Sequence, residues 1–505
     1  MTKFDFDALD FDSILEANLP ETPPPSDVIQ DVTPWKTALN RILVGLGLST
    51  ITLNFGLINY FMTEIGLILI FLGFRTLRTD NNWFRSCYQI STFRLALNTI
   101  LLIINATMYQ ERFYDSLIAD ILSGISLILT FVLFLFLRKG FHTVQETAGM
   151  EKSAKGAVAA LVWYTLLCVW AVFLPVGGWL IAIPMILGYI FILRSLWKLA
   201  RTLDEAGYAV RTSPLRFSDR TVVLTICVIL ALGISCGLAF TQRYPMAWAT
   251  ASPSDDPEVL AAKEELLAKG FPEQALDDLS AKDLLSCKDA KRVLSVSRTY
   301  PFNEGHDVII EEGNDRFYTT EYDVKELRLT SIGVELPGEK ERWKIIHHFH
   351  WDYDPGYFGT ESIQLWPTDR MKEAWHITSD FTGHVLYDSG EQTYIAPYYS
   401  MGYETYESSS IFFGNQTSTD FFAHFSFPNE GEHQRGYVAY TVDEINDGWI
   451  LDSWINYTHQ LSPLQYPVIS ARTARLTDSI HMRTPFETVQ DALQFYPMYP
   501  DDLPN

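Results

Sequence analysis

The chain has 505 residues and a formal net charge of −23, a balance that argues against a nucleic-acid-binding surface, because phosphate backbones demand clusters of Lys and Arg. Its five cysteines are too few for a disulfide scaffold: four lie in or beside apolar segments, and Cys287 alone in the polar part has no partner to bridge. The mean hydropathy of +0.04 averages two populations, long apolar runs over 37–243 and a soluble-type composition over 244–505.

Residues 1–36 hold eight acids and two bases and are rich in proline, the reverse of the basic start and apolar centre of a cleavable leader. Phe4 and Phe6 alternate with aspartates; Phe11, Ile14 and Leu15 have helical spacing, and Ser13 and Glu16 are spaced for a capping box. Such acidic–hydrophobic alternation is typical of disordered segments that fold onto a partner. Segment 4–19 is therefore a candidate docking element for a cytoplasmic protein, with an inert solvated tail as the alternative.

A bilayer-spanning helix needs roughly 20 apolar residues. Such runs are predicted at about 39–58, 61–77, 86–107, 116–137, 157–176, 178–197 and 221–240, about seven transmembrane helices over the domain 37–243. The pairs 39–58/61–77 and 157–176/178–197 are close-coupled, so each is either two full spans or one re-entrant hairpin. Connections at 75–85, 138–155 and 194–220 carry thirteen Lys and Arg, against Arg112 alone in those near 59–64, 108–115 and 176–178. The positive-inside rule then predicts a multi-pass protein of the cell membrane with its N-terminus cytoplasmic and its C-terminal domain extracytoplasmic.

Polar residues inside spans are functional candidates. Arg94, Asn98 and Asn105 are spaced by four and seven residues, which places them on one helix face, and Asn54 lies at a depth similar to Asn98. They form either a polar path across the membrane, or hydrogen bonds between helices with Arg94 snorkelling to the inner surface. Glu64 is expected near the outer end of its helix, a poor partner for Arg94.

After a linker, two amphipathic helices are predicted at about 257–269 and 272–292, the second restarting at Ser280-x-x-Asp283; residues 244–292 read as linker and helical stalk, with packing of these helices against the following domain as the alternative. From 293 to 505 the pattern is strand-like, with runs at 306–312, 324–335, 342–353, 358–366, 376–388, 391–399, 409–413, 419–428, 435–442 and 449–458 separated by turn clusters such as Pro337-Gly338-Glu339-Lys340. Many short strands at this spacing predict a mainly-β domain, an antiparallel sandwich or jelly roll, held by its own core. A short helix is expected at 485–494.

On strand 342–353, Ile345, His347, Phe349, Trp351 and Tyr353 read as the core face. The other face carries His348, His350 and Asp352, donors that could ligate a metal or simply meet solvent. Asp352-x-Asp354-x-Gly356 has two of the oxygens of a calcium loop and lacks the rest. Trp351, Tyr353, Tyr357 and Trp366 surround Gly356 and Gly359 in a loop-like stretch, a candidate platform for a glycan or peptide, although strands favour core aromatics in any case. No Gly-x-Ser-x-Gly, His-Glu-x-x-His or phosphate-binding Gly-rich loop occurs, and no cofactor is implied.

The stretches Asp31-Val-Thr-Pro-Trp-Lys36, Thr50-Ile-Thr-Leu-Asn-Phe55 and Leu72-Gly-Phe-Arg-Thr-Leu77, with Gly270-Phe-Pro-Glu-Gln-Ala-Leu-Asp-Asp278 and Leu284-Leu-Ser-Cys287, resemble uncharacterised bacterial multi-pass membrane proteins with an extracytoplasmic C-terminal domain. The resemblance covers the membrane section and the segment after it; it implies architecture and brings no assigned activity. Partner-like features on both sides of the bilayer, without a catalytic constellation on either, make a sensor or signalling regulator the leading expectation. A transport-associated protein built on Arg94, Asn98 and Asn105 is the alternative, and a metal-dependent outer-face enzyme built on His348 and His350 the second.

Overall fold

The structure is a computed structural model that describes residues 32–51, 57–173, 178–211, 217–302, 305–312, 315–322, 325–368, 372–410, 414–477 and 485–497. The chain forms two compact units: residues up to 104 together with 112–233, and residues 105–111 together with 234–505.

The helical section runs β1 (Val32–Pro34), α1 (Trp35–Thr50), α2 (Ile58–Leu77), α3 (Asn82–Ile104), α4 (Tyr109–Tyr114), α5 (Leu117–Thr147), α6 (Lys155–Phe173), α7 (Gly178–Glu205), β2 (Ala209–Arg211) and α8 (Asp219–Phe240). A helix stands at each of the seven predicted positions. Among the described residues, five are long and apolar enough to cross a membrane: α2, α3, α5, the Ala182–Glu205 part of α7, and α8. The expected count of about seven is not confirmed among the described residues, where α1 has 16 residues and the apolar part of α6 is Lys155–Trp170. Leu117, Ile128, Phe191, Leu224 and Leu232 are left exposed on these helices, as a surface facing lipid tails requires.

Small residues set the closest helix approach. A Cβ on Gly45 of α1 would meet the Gly66 carbonyl oxygen of α2 at 2.5 Å, and one on Gly73 would meet the Ala38 oxygen at 2.8 Å, so backbone lies almost on backbone. At one end of the bundle Asp219 accepts from both Arg41 (2.7 Å) and Arg75 (3.0 Å), tying α8 to α1 and α2. Buried Trp35 packs edge-on against Tyr208 and Phe141 there.

The second unit is a β-sandwich with a helical layer. Its elements are β3 (Ala249–Thr250), α9 (Pro257–Ala268), α10 (Glu273–Asp277), α11 (Ala281–Ser286), β4 (Arg292–Pro301), β5 (Gly305–Glu312), β6 (Asp315–Tyr322), β7 (Glu326–Glu335), β8 (Arg342–Tyr353), β9 (Glu361–Trp366), β10 (Trp375–Ile377), β11 (Thr382–Ser389), β12 (Gln392–Ala396), β13 (Ser400–Ser410), β14 (Gly414–Phe425), β15 (Glu432–Glu444), β16 (Leu451–Gln460), α12 (Ala471–Leu476) and β17 (Phe486–Phe495). The larger sheet has the order β3-β12-β11-β15-β8-β7-β4, with β10 also on β15; the smaller is β13-β14-β9-β16-β17, and every pairing in both is antiparallel. Alternate residues of both sheets meet in one core, in which Phe349 lies 5.0 Å from Tyr457 and Trp343 lies 4.8 Å from Phe495.

One local expectation changes. The helix expected at 485–494 is strand β17, which pairs with β16 from Leu451↔Phe495 to Gln460↔Phe486; Val489, Leu493 and Phe495 alternate toward the core, a period of two rather than 3.6. The helical turn lies earlier, in α12, capped by Ser470. Of the two arrangements open to the helices over 257–292, a stalk or packing against the domain that follows, the structure has the second: Leu266, Phe271, Leu276 and Leu284 share a core with Ile332, Val334, Ile346 and Tyr437 on the outer face of the larger sheet. The restart at Ser280 is present, its hydroxyl accepting from the Asp283 amide at 3.1 Å.

Candidate functional site

Strand β8 is central in the larger sheet and covered on both sides, so neither of its faces meets solvent between Trp343 and Trp351. On the inner face His347 is fully buried; its Nδ1 lies 2.8 Å from Ser331 Oγ and its Nε2 2.7 Å from Ser453 Oγ, which also accepts from Tyr440. Burial pushes this imidazole down to about 3. The Ser453–His347 contact has the spacing of a nucleophile and its base, but both residues are sealed in the core, so it holds the sheets together and reaches no substrate.

The outer face of β8 is polar and equally buried. His348 Nε2 donates to Asp278 at 2.8 Å, and Arg435 donates to the same carboxylate at 2.7 Å. Lys344 donates to Asp283 at 2.6 Å, and Asp283 also accepts from Tyr437 and Thr382. Burial raises the Asp283 carboxyl, yet Lys344 overcomes it and holds the group at about 2. His350 pairs with Asp352 at 3.1 Å, and Arg328 pairs with Asp352 at 2.8 Å. Burial and then neighbouring His348 push His350 down to about 4.

Of the residues singled out as metal donors, His348 is thus engaged by Asp278, while His350 and Asp352 pair with each other. Among the described residues no group of three His, Cys, Asp or Glu side chains is placed to hold a metal ion. Asp354 accepts from the Gly356 amide at 2.6 Å, an Asx turn that occupies its oxygen.

The four candidate ligand-binding aromatics do not form one surface. Trp351 is 1% exposed and donates to Tyr457 within the core. Tyr353 is 54% exposed; Tyr357 donates to Gln242 at 3.3 Å. Trp366 lies on the opposite face of β9 from core residue Leu365 and donates to Asp420 at 3.0 Å, together with Gln364 (2.7 Å) and Tyr406 (2.7 Å). Sequence spacing could not join Gln364, Tyr406 and Asp420, because they come from three strands of the smaller sheet.

A groove that sequence reasoning missed is formed by β10, the segment that follows it, β13 and β14. It encloses about 470 Å³ and is lined by His376, Asp380 and Phe381 on one wall and Met401, Tyr403 and Phe421 on the other. Phe381 stacks on both Phe421 and Tyr440, which fixes the floor, while Tyr403 is 52% exposed. Met401 and Tyr403 belong to β13, which stands at one end of the smaller sheet's strand order, next to β14. The exposed apolar residues of a long edge strand were the available signal.

In the first unit, Arg94 and Asn98 line one cavity of about 380 Å³ between α2, α3 and α5. Glu64 is buried and accepts from Asn98 (2.7 Å) and Thr99 (2.6 Å), so it engages α3 four residues beyond Arg94. Asn105 is not part of this cavity. It belongs to the second unit, where its carbonyl accepts from the Val468 amide at 2.8 Å. The same segment is bound through Gln110 to Val468, and through Glu111 to the Ser470 amide (2.8 Å) and hydroxyl (2.9 Å). Asn54 and the tail residues Phe4, Phe6, Phe11, Ile14 and Leu15 lie outside the described residues.

No known protein family matches the chain, and no curated protein matches it.

Proposed function

We propose that this chain is a membrane-embedded receptor, a sensor or signalling regulator whose β-domain lies outside the cell and takes up an extended peptide along the end strand β13. The groove beside that strand carries the reading: exposed Tyr403 and Met401 line it together with Phe421. A peptide lying along β13 would continue the sheet and seat an apolar side chain against Tyr403 and Phe421. The volume of about 470 Å³ falls within the roughly 300–1,000 Å³ of small-ligand sites. Asp380 on the opposite wall favours a basic residue in the peptide.

The binding of 105–111 to 468–470 supports a common side of the bilayer for that connection and the β-domain. With the basic connections on the other side, that side is extracytoplasmic. Segment 4–19 is the output element in this reading, engaging a cytoplasmic protein. A second reading, a transport-associated protein, draws on the cavity at Arg94 and Asn98; there Arg94→Leu abolishes flux, whereas in the receptor it leaves peptide binding unchanged.

Thermal unfolding of the full-length protein in neutral-lipid nanodiscs, with panels of short peptides and of glycans, tests the proposal. A ligand at about 100 times its Kd stabilises by about 2.7 kcal/mol. Stabilisation by peptides that Tyr403→Ala removes is expected. Stabilisation by glycans alone, or by peptides equally in the Tyr403→Ala protein, contradicts it.

A further inference from the structure

The cavity between α2, α3 and α5 has one charged lining residue among those described, Arg94. Among the described residues Arg94 forms no ion pair, and the groups that act electrostatically on its guanidinium are the Tyr164 and Tyr189 hydroxyls; nearby Glu64 carries the opposite charge. That carboxylate is already taken by Asn98 and Thr99 and does not line the cavity. A guanidinium in a transmembrane section that is given no carboxylate partner by the protein is costly to retain, because the surrounding medium solvates charge poorly. Such a group is kept where something else neutralises it.

The remaining polar lining indicates what that is. Ser123 and Ser126 are three residues apart and therefore on one face of α5, and Thr63 contributes from α2. Three hydroxyls that can donate and a guanidinium with its planar fork of N–H groups share this lining, a donor set that the tetrahedral oxygens of a phosphate group accept. The cavity is not suited to a metal cation, which would meet a like charge and no free carboxylate. Leu67, Leu97 and Leu122 also line it, so it accepts equally a free phosphate and the headgroup of a lipid whose chains lie alongside.

We infer that Arg94, with Thr63, Ser123 and Ser126, forms an intramembrane binding site for a phosphate-bearing anion. The inference is independent of the peptide groove, because it rests on the other unit of the chain. The test uses the full-length protein in nanodiscs of phosphatidylcholine alone, titrated with inorganic phosphate, and in nanodiscs doped with phosphatidylglycerol, with retained lipid counted by native mass spectrometry. Phosphate binding in the neutral discs that Arg94→Gln weakens about ten- to a hundredfold identifies a free anion. Phosphatidylglycerol retained by the natural chain and lost from Arg94→Gln identifies a lipid headgroup.

Arg94→Lys, which keeps the charge, retains part of the affinity in either case. Should Arg94→Gln fail to fold, the double variant Ser123→Ala/Ser126→Ala carries the test through its loss of affinity at unchanged helix content. Binding of neither probe by the natural chain overturns the proposal. So does binding that is unaltered in Arg94→Gln or, where that variant cannot be made, in the serine double variant.

Discussion

His347 Nε2 on the larger sheet lies 2.7 Å from Ser453 Oγ on the smaller sheet, and its Nδ1 lies 2.8 Å from Ser331. A neutral imidazole therefore joins the two layers of the sandwich at the centre of its core. With a folded value of about 3 against an ordinary value near 6.5, the unfolded chain binds the extra proton between those limits. Stability contributed by the neutral ring is complete above about pH 6.5 and falls as pH drops toward 3. The loss reaches the order of 4 kcal/mol at the acid end. Chemical unfolding of the natural chain and of His347→Gln, followed from pH 7 to pH 4, checks this: the variant begins less stable and shows a shallower decline.

The Lys344–Asp283 pair is buried beneath α11. Removing one partner, as in Lys344→Met, leaves a carboxylate unpaired and costs about 3–5 kcal/mol. The double change Lys344→Met/Asp283→Leu recovers part of that loss, because no charge then remains buried, but not all of it, since Asp283 also binds Ser280, Thr382 and Tyr437. Denaturant midpoints of the two variants decide it. In the natural chain the Asp283 contribution is full above about pH 4 and is lost as pH falls toward 2, because its folded value is about 2.

The architecture was legible where a single physical signal dominated. Uninterrupted apolar runs marked the seven helix positions, and the Ser280–Asp283 cap marked the start of α11. The period-two pattern of Ile345, His347, Phe349, Trp351 and Tyr353 marked the inward face of β8 as far as Trp351; Tyr353, at the strand's end, is exposed instead. Its other face was expected either to bind metal or to meet solvent, because Lys344, His348 and His350 look like surface residues until a helical layer supplies Asp278 and Asp283 from about 60 to 70 positions away. The Arg94–Asn98 pairing on one helix face was readable from spacing alone. The hydroxyls opposite it, Ser123 and Ser126, come from another helix, and no local pattern announces them.

The α1–α2 crossing depends on glycine. Gly45→Ala would place a methyl group 2.5 Å from the Gly66 oxygen and 2.7 Å from Ile70 Cγ1, so the helices must separate. The expected cost is about 1–3 kcal/mol. Gly124→Ala on α5, where an added Cβ meets nothing within 4 Å, is the matched control and leaves stability unchanged or slightly raised. Thermal unfolding in detergent separates the two.

The central claim is that β13 is a ligand-binding edge, and hydrogen exchange on the full-length protein in nanodiscs reads it most directly. The account predicts that a peptide selected for stabilisation slows amide exchange across Ser400–Thr405, and that Met401→Lys/Tyr403→Lys abolishes the protection while exchange in the remainder of the sandwich stays as before. Protection confined to the opposite face around Trp366 and Asp420, with β13 unaffected, would contradict it.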